Sequence, residues 1–218
     1  LLNLVLKSTQ DVQTFAVALL EQRSPAELGL PTLLKLLGAS ASAALVKAKL
    51  RQGFKPQDVT AEQFVEVALM ITGVRGSGTA LDGLLEFYKE GQLKVPAAYY
   101  RQLLDDPRCT PPIRQRALRA LADYSGREIG TEWLQKALLD PQLNSTVANW
   151  LRQGKLKGED LDVEWLKGLV MRPALRSLAL QLLSDTQRVA PSRIGLLWLL
   201  AMARQADPTL HEFAHRYL

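Results

Sequence analysis

Apolar and small residues recur at fixed places in four ten-residue segments that align without gaps. They are Asp-Val-Gln-Thr-Phe-Ala-Val-Ala-Leu-Leu at 11–20, Pro-Ile-Arg-Gln-Arg-Ala-Leu-Arg-Ala-Leu at 112–121, Ala-Leu-Arg-Ser-Leu-Ala-Leu-Gln-Leu-Leu at 174–183 and Thr-Leu-His-Glu-Phe-Ala-His-Arg-Tyr-Leu at 209–218. Each carries an apolar residue second, alanine sixth and leucine tenth. Spacing of i, i+4, i+8 lies on one face of an α-helix, and the small alanine leaves room for a second helix to approach. Ala16, Ala117, Ala179 and Ala214 are separated by 101, 62 and 35 residues. These intervals divide into three, two and one steps of about 31 to 35 residues, a solenoid-type period. Weaker copies are then expected around Ala48, Leu85 and Ala148, which makes seven helices of this kind.

A second pattern runs between the first. Trp133, Trp165 and Trp198 share the same period, and two of them sit in matching contexts, Glu132-Trp-Leu134 and Glu164-Trp-Leu166. Stepping back along the chain reaches Tyr100 and Phe64. These aromatics predict a first helix in each repeat, at 31–37, 61–72, 96–105, 131–140, 162–170 and 191–204, with residues 1–7 the last part of another. A ring at one place per repeat would fill the seam between stacked layers. The punctuation agrees: Pro31, Pro96 and Pro191 suit first-turn positions, and Thr60, Thr79, Thr131 and Asp162 are candidate N-caps. Asp-Pro pairs at 106–107, 140–141 and 207–208 fall where one helix stops and its partner starts. Gly38, Gly53, Gly73, Gly91, Gly126 and Gly154 fall near expected helix ends. No alternating strand pattern of useful length is present.

The fold expected is all-α: an α-solenoid of six to seven antiparallel helix pairs in a right-handed superhelix, forming a single continuous domain over 1–218. Neither end carries the polar capping repeat that a solenoid normally has, so the chain reads as a fragment of a larger parent protein. Of its 218 residues, 47% are hydrophobic and 22% charged, which suits a folded, soluble domain. The opening Leu-Leu-Asn-Leu-Val-Leu is too short to cross a membrane and has no basic n-region or cleavage site. One cysteine, Cys109, excludes an intramolecular disulfide, and a cytoplasmic location is expected. No histidine lies near Cys109 in sequence to activate it.

Three stretches carry candidate chemistry. His211-Glu-Phe-Ala-His215 fits H-E-x-x-H, which on a helix places two imidazoles on one face, where Zn²⁺ could bind, with Glu212 as general base. The repeat frame already explains Phe213 and Ala214, however, and no third ligand follows, so no catalytic metal or other cofactor is expected. The glycine-rich Ile71-Thr-Gly-Val-Arg-Gly-Ser-Gly-Thr79 precedes a helix and could offer backbone N–H groups to an anion, helped by Arg75, Ser77 and Thr79. It lacks the Lys-Ser/Thr of a phosphate-binding loop and reads as a connection. The third is charge. Net charge is +5 and the isoelectric point about 9.4, and in the second-helix frame Arg114, Arg119, Arg152, Arg176, Gln181 and Arg216 fall on the polar side, with Lys47 and Arg51 extending the row. These six are the candidate binding residues of a basic, concave face. No aromatics interleave there to stack bases, and no nucleic-acid motif is present.

The two-helix unit of about 32 residues, with apolar-x-x-x-Ala-x-x-x-Leu on its second helix, resembles HEAT-type repeats over nearly the whole chain. HEAT units usually carry proline in the first helix and Asp-Val at the inner turn, and Asp11-Val12 is the one clean instance here, so armadillo-like and other α–α repeats remain open. Helices ending Phe-Ala-x-x-x-Leu also look like those of bacterial WGR-domain proteins, although no Trp-Gly-Arg sequence is present. The resemblance implies a non-catalytic scaffold or adaptor that binds a protein partner, with no membrane association. Its alternative is a nucleic-acid-binding module, similar to HEAT-repeat alkylpurine DNA glycosylases, whose acidic and aromatic site residues have no counterpart here. A zinc hydrolase centred on His211 is the third reading.

Overall fold

The computed structural model describes residue 5 and residues 10–37, 42–70 and 79–218. Helices account for 72% of it, and no strand occurs among the described residues. Two compact units result, Leu1–Leu121 and Ala122–Leu218.

In the first unit the helices are α1 (Gln10–Glu21), α2 (Pro25–Leu28), α3 (Leu30–Leu36), α4 (Ala43–Gly53), α5 (Ala61–Leu69), α6 (Thr79–Glu90), α7 (Ala97–Asp105) and α8 (Pro111–Leu121). The expected first helices are α3, α5 and α7; the second helices are α1, α4, α6 and α8. Each first helix packs on the second helix that follows it: α3 on α4, α5 on α6, α7 on α8. Contacts also join successive first helices, α3 to α5 and α5 to α7, and successive second helices, α4 to α6. The core is aliphatic, from Leu20 and Leu33 to Leu103 and Leu121. Phe64, fully buried, meets Tyr100 edge-on at 5.4 Å and Tyr99 at 5.7 Å.

In the second unit the helices are α9 (Gly126–Ile129), α10 (Thr131–Leu138), α11 (Asn144–Arg152), α12 (Val163–Val170), α13 (Pro173–Leu183), α14 (Pro191–Ile194), α15 (Leu196–Ala203) and α16 (Pro208–Tyr217). Again α10 packs on α11, α12 on α13 and α15 on α16, and α11 packs on α13.

All four aligned alanines are at most 1% exposed, as expected for the residue at which helices meet. Two weaker copies need correction. Ala48 faces solvent while Val46, Lys49 and Leu50 are buried, and Leu84 rather than Leu85 is fully buried. With few large apolar residues in α4, periodicity alone placed its face one or two residues off. Val5 is helical and buried, and the rest of 1–7 lies outside the described residues. The helix expected over 61–72 ends at Leu69, and Thr131 is the first residue of α10, with Gly130 as its cap. Pro96 caps α7 instead of entering it, and Gly126 opens a helix instead of closing one. Thr60 and Asp162 are N-caps: Thr60 Oγ1 accepts from the Gln63 amide at 3.2 Å, and Asp162 accepts from the amides of Glu164 and Trp165.

One element has no counterpart in the expected pattern. A short helical turn precedes most first helices: α2, the 3₁₀ turn Pro56–Asp58, α9, the 3₁₀ turn Gly158–Asp160 and α14. Ser24 and Ser125 close capping boxes with Glu27 and Glu128. Each turn ends on an aliphatic residue, Leu28, Val59, Ile129, Leu161 or Ile194, of which all but Leu28 are at most 1% exposed. After three of the turns comes a glycine with φ of +73° (Gly29), +92° (Gly130) or +85° (Gly195). Such backbone suits glycine, and it breaks the helix expected over 191–204 into α14 and α15.

Candidate functional site

The six candidate binding residues lie on α8, α11, α13 and α16, so each must be placed within its own unit. On α8, Arg114 is half-buried and its Nη2 donates to the Cys109 carbonyl at 3.1 Å, while Arg119 is exposed. On the second unit, Arg152 of α11 and Gln181 of α13 are both exposed and meet, Nε to Oε1, at 3.3 Å. Arg176 of α13 is turned into the fold. Its Nε donates to the Val170 carbonyl at 3.0 Å and its Nη1 pairs with Asp207 at the start of α16. Arg216 pairs with Glu212 one turn earlier on α16, at 3.6 Å. Of the six, the structure brings Arg152 and Gln181 together and gives Arg114, Arg176 and Arg216 intramolecular acceptors.

Cations elsewhere follow the same habit, each with an acceptor 32 to 42 residues away in sequence. In the first unit Lys47 of α4 pairs with Glu86 of α6, Arg51 with Glu90 and Arg116 of α8 with Asp82 of α6. Arg108 bridges Asp106, at 2.8 Å, and Glu66 of α5, at 2.9 Å. In the second, Arg127 of α9 pairs with Asp160 at 3.0 Å and with Glu159. Exposed pairs of this kind contribute about 0–1 kcal/mol each, so they set register more than they hold the fold together.

A more buried set of cations ends helices. Lys49, 8% exposed, donates to the carbonyls of Glu21, at 3.1 Å, and Arg23, just past the C-terminus of α1. Arg188 donates to the carbonyls of Leu151 and Arg152 at the end of α11, at 2.7 and 3.0 Å. Unsatisfied carbonyls at a helix C-terminus carry partial negative charge, which a cation stabilises. Arg193 of α14, itself exposed, donates to the carbonyls of Gly158 and Leu161, at the two ends of the 3₁₀ turn Gly158–Asp160. Sequence reasoning missed Lys49; its one visible signal was a lysine on the face that Val46 and Leu50 make apolar.

Asp207 illustrates the electrostatics. It caps α16, accepting from the Thr209 amide at 2.9 Å and hydroxyl at 2.6 Å. Those two hydrogen bonds, with Arg176 beside it, hold its carboxyl below the usual value of 3.8. Asp106 is lowered in the same way by its hydrogen bonds to Arg108. Burial pushes the Cys109 thiol up, so this cysteine lacks the thiolate character of a nucleophile.

His211 and His215 are exposed on α16, and their Nε2 atoms stand 3.2 Å apart. Phe213 and Ala214, between them in sequence, are buried, and Phe213 meets Trp198 edge-on at 6.1 Å. Among the described residues no three His, Cys, Asp or Glu side chains converge to hold a metal. Arg75 and Ser77 of the glycine-rich loop lie outside the described residues, and Thr79 opens α6.

Large apolar side chains are exposed on α15: Leu196, Leu197 (82% exposed) and Leu200. Aligning on the tryptophans puts Leu197 where α10 has Glu132 and α12 has Glu164, and Leu200 where they have Gln135 and Lys167. Phe15 of α1 and Met171 after α12 are also exposed. No described helix is long and apolar enough to cross a membrane. No protein-family model matches the chain, and neither the curated proteins nor the solved structures hold a match to it.

Proposed function

We propose that the chain is a HEAT-like α-solenoid, one continuous right-handed stack of helix pairs, that works as a non-catalytic scaffold for a protein partner in the cytoplasm. Each first helix touching its own second helix, and helices of one layer touching their counterparts in the next, supports the solenoid reading. So does the sequence distance spanned by the bonds between successive pairs, from 26 residues for Lys49 and Arg23 to 42 for Arg108 and Glu66.

The observation that favours a protein over a nucleic acid is the engagement of the cations. Nucleic-acid affinity rests on lysine and arginine free to neutralise phosphates. Along the basic row, Arg114, Arg176 and Arg216 already have acceptors, and Lys47, Arg51 and Arg116 have carboxylates. A phosphate would have to displace them. Exposed leucines on α15 suit a protein surface better than a polyanion.

The test is binding to labelled duplex DNA and single-stranded RNA across a salt series, beside affinity capture of protein partners on the immobilised chain. The scaffold reading expects no salt-sensitive nucleic-acid binding and a captured protein that survives moderate salt. Tight binding at low salt that collapses as salt rises, and that Arg119→Glu with Arg152→Glu abolishes, would overturn it in favour of the nucleic-acid module.

A further inference from the structure

We propose that His211 and His215 form a two-histidine chelate for a divalent transition cation of the imidazole-preferring class, on the exposed face of α16. Two features carry this. The first is distance: the Nε2 atoms converge to 3.2 Å. If both bound one ion at metal–nitrogen lengths of about 2.0–2.1 Å, the angle at the metal would be roughly 100–106°, close to tetrahedral. The second is support. The i, i+4 spacing stacks the rings on one helix face, with centroids 4.3 Å apart. That face is held in place from behind, because Phe213 and Ala214 are buried and Phe213 packs on both Trp198 and Tyr217.

Such a site differs from that of a zinc hydrolase. No third protein ligand is at hand among the described residues, and Glu212 pairs with Arg216. The remaining positions on the ion therefore go to water or to a donor from outside the chain. Both Nε2 atoms bind the metal and both Nδ1 atoms keep their protons, so no redox or covalent step is involved. Without a metal, the same 3.2 Å separation is a hydrogen bond between one protonated and one unprotonated Nε2.

The experiment is calorimetric titration of the untagged chain with Zn²⁺ and separately with Cu²⁺ near neutral pH, with melting temperature followed in parallel. One equivalent should bind, Cu²⁺ more tightly than Zn²⁺. His211→Ala or His215→Ala should each weaken binding roughly tenfold or more, since either change turns a chelate into a single ligand. Glu212→Gln should leave affinity unchanged. Metal should raise the melting temperature of the parent chain but not of His211→Ala, because an ion held by folded α16 stabilises the folded state. Absence of saturable binding, or binding that both histidine variants retain in full, would overturn the proposal.

Discussion

The amide of Gly126 donates to the carbonyl of Lys155 at 3.1 Å, and a methyl group on Gly126 would collide with that same oxygen and stand 2.5 Å from Leu156 Cδ2. A Cβ on Gly158, 32 residues on, would likewise collide with the carbonyl of Arg188. In the first unit the arrangement is inverted. Pro25 and Pro56 hold the turn position, and the glycine stands opposite: a Cβ on Gly53 would collide with Pro25, and one on Gly91 would come within 2.7 Å of Pro56. Each of these four contacts therefore contains a glycine, on one side or the other.

Gly126→Ala and Gly158→Ala should each destabilise the chain by about 1–3 kcal/mol through overpacking. Gly168 is the control. It lies inside α12 with open space around its Cβ, so Gly168→Ala should stabilise by about 0.5–1 kcal/mol. Urea unfolding of the three variants measures the contrast, and equal effects at all three positions would refute it.

Opposed residues imply coupling. Gly53→Ala alone should lower stability by about 1–3 kcal/mol. Combined with Pro25→Gly, which empties the space that the new methyl enters, the loss should fall short of the sum of the two single changes. A double-mutant cycle that comes out additive would show that Gly53 and Pro25 do not press on each other.

Lys49→Met keeps the aliphatic stem of a buried side chain but leaves the carbonyls of Glu21 and Arg23 without their donor. A loss of about 1.5–3 kcal/mol is expected for hydrogen bonds from a charged group. Amide exchange should quicken first at the C-terminal turn of α1. Unchanged exchange there would mean that Lys49 does not cap that helix.

Acid should remove a specific contribution from Asp207. Its carboxyl ionises below the ordinary 3.8 because the folded state favours the charged form. The stabilisation is therefore fully present above pH 3.8 and is lost as pH falls through the lower folded value. Asp207→Ala should lower the urea midpoint at neutral pH, and the gap to the parent chain should narrow below pH 3.8. A gap that does not change with pH would assign the effect to packing alone.

Leu197→Glu places on α15 the residue that Glu132 and Glu164 supply on α10 and α12. Given an 82% exposed side chain, stability should change by no more than about 0.5 kcal/mol. Self-association at high concentration, read by light scattering, should fall or stay the same. A large loss of stability would show that Leu197 is packed.

How far the fold could be read from the chain follows from what each pattern reports. Alanine at the sixth position lies on the apolar face of its helix, and Ala16, Ala117, Ala179 and Ala214 are all buried. The aromatic period located α5, α7, α10, α12 and α15, and at Phe64 the ring meets Tyr99 and Tyr100 of the next first helix, α7. Other contacts between successive helix pairs leave no such pattern. They depend on small residues, main-chain carbonyls and single charges, as at Gly126 with Lys155 or Arg188 with Leu151. Either side can supply the glycine, so no column of identical residues betrays the seam. The basic row was visible as composition, but Arg176 and Asp207 meet only once α13 and α16 are packed.

The cross-layer bonds give the chain an arithmetic of length. Arg127 reaches Asp160 across 33 residues, Arg193 reaches Leu161 across 32, and Tyr217 reaches Leu183 across 34. Inserting a few residues inside a helix pair would put every partner downstream out of register with its donor. On the solenoid reading, duplicating or deleting one whole pair would instead keep each donor opposite an equivalent main-chain carbonyl. On that reading the tolerable unit of gain or loss is the entire pair, so relatives should differ in the number of pairs more readily than in the spacing within them.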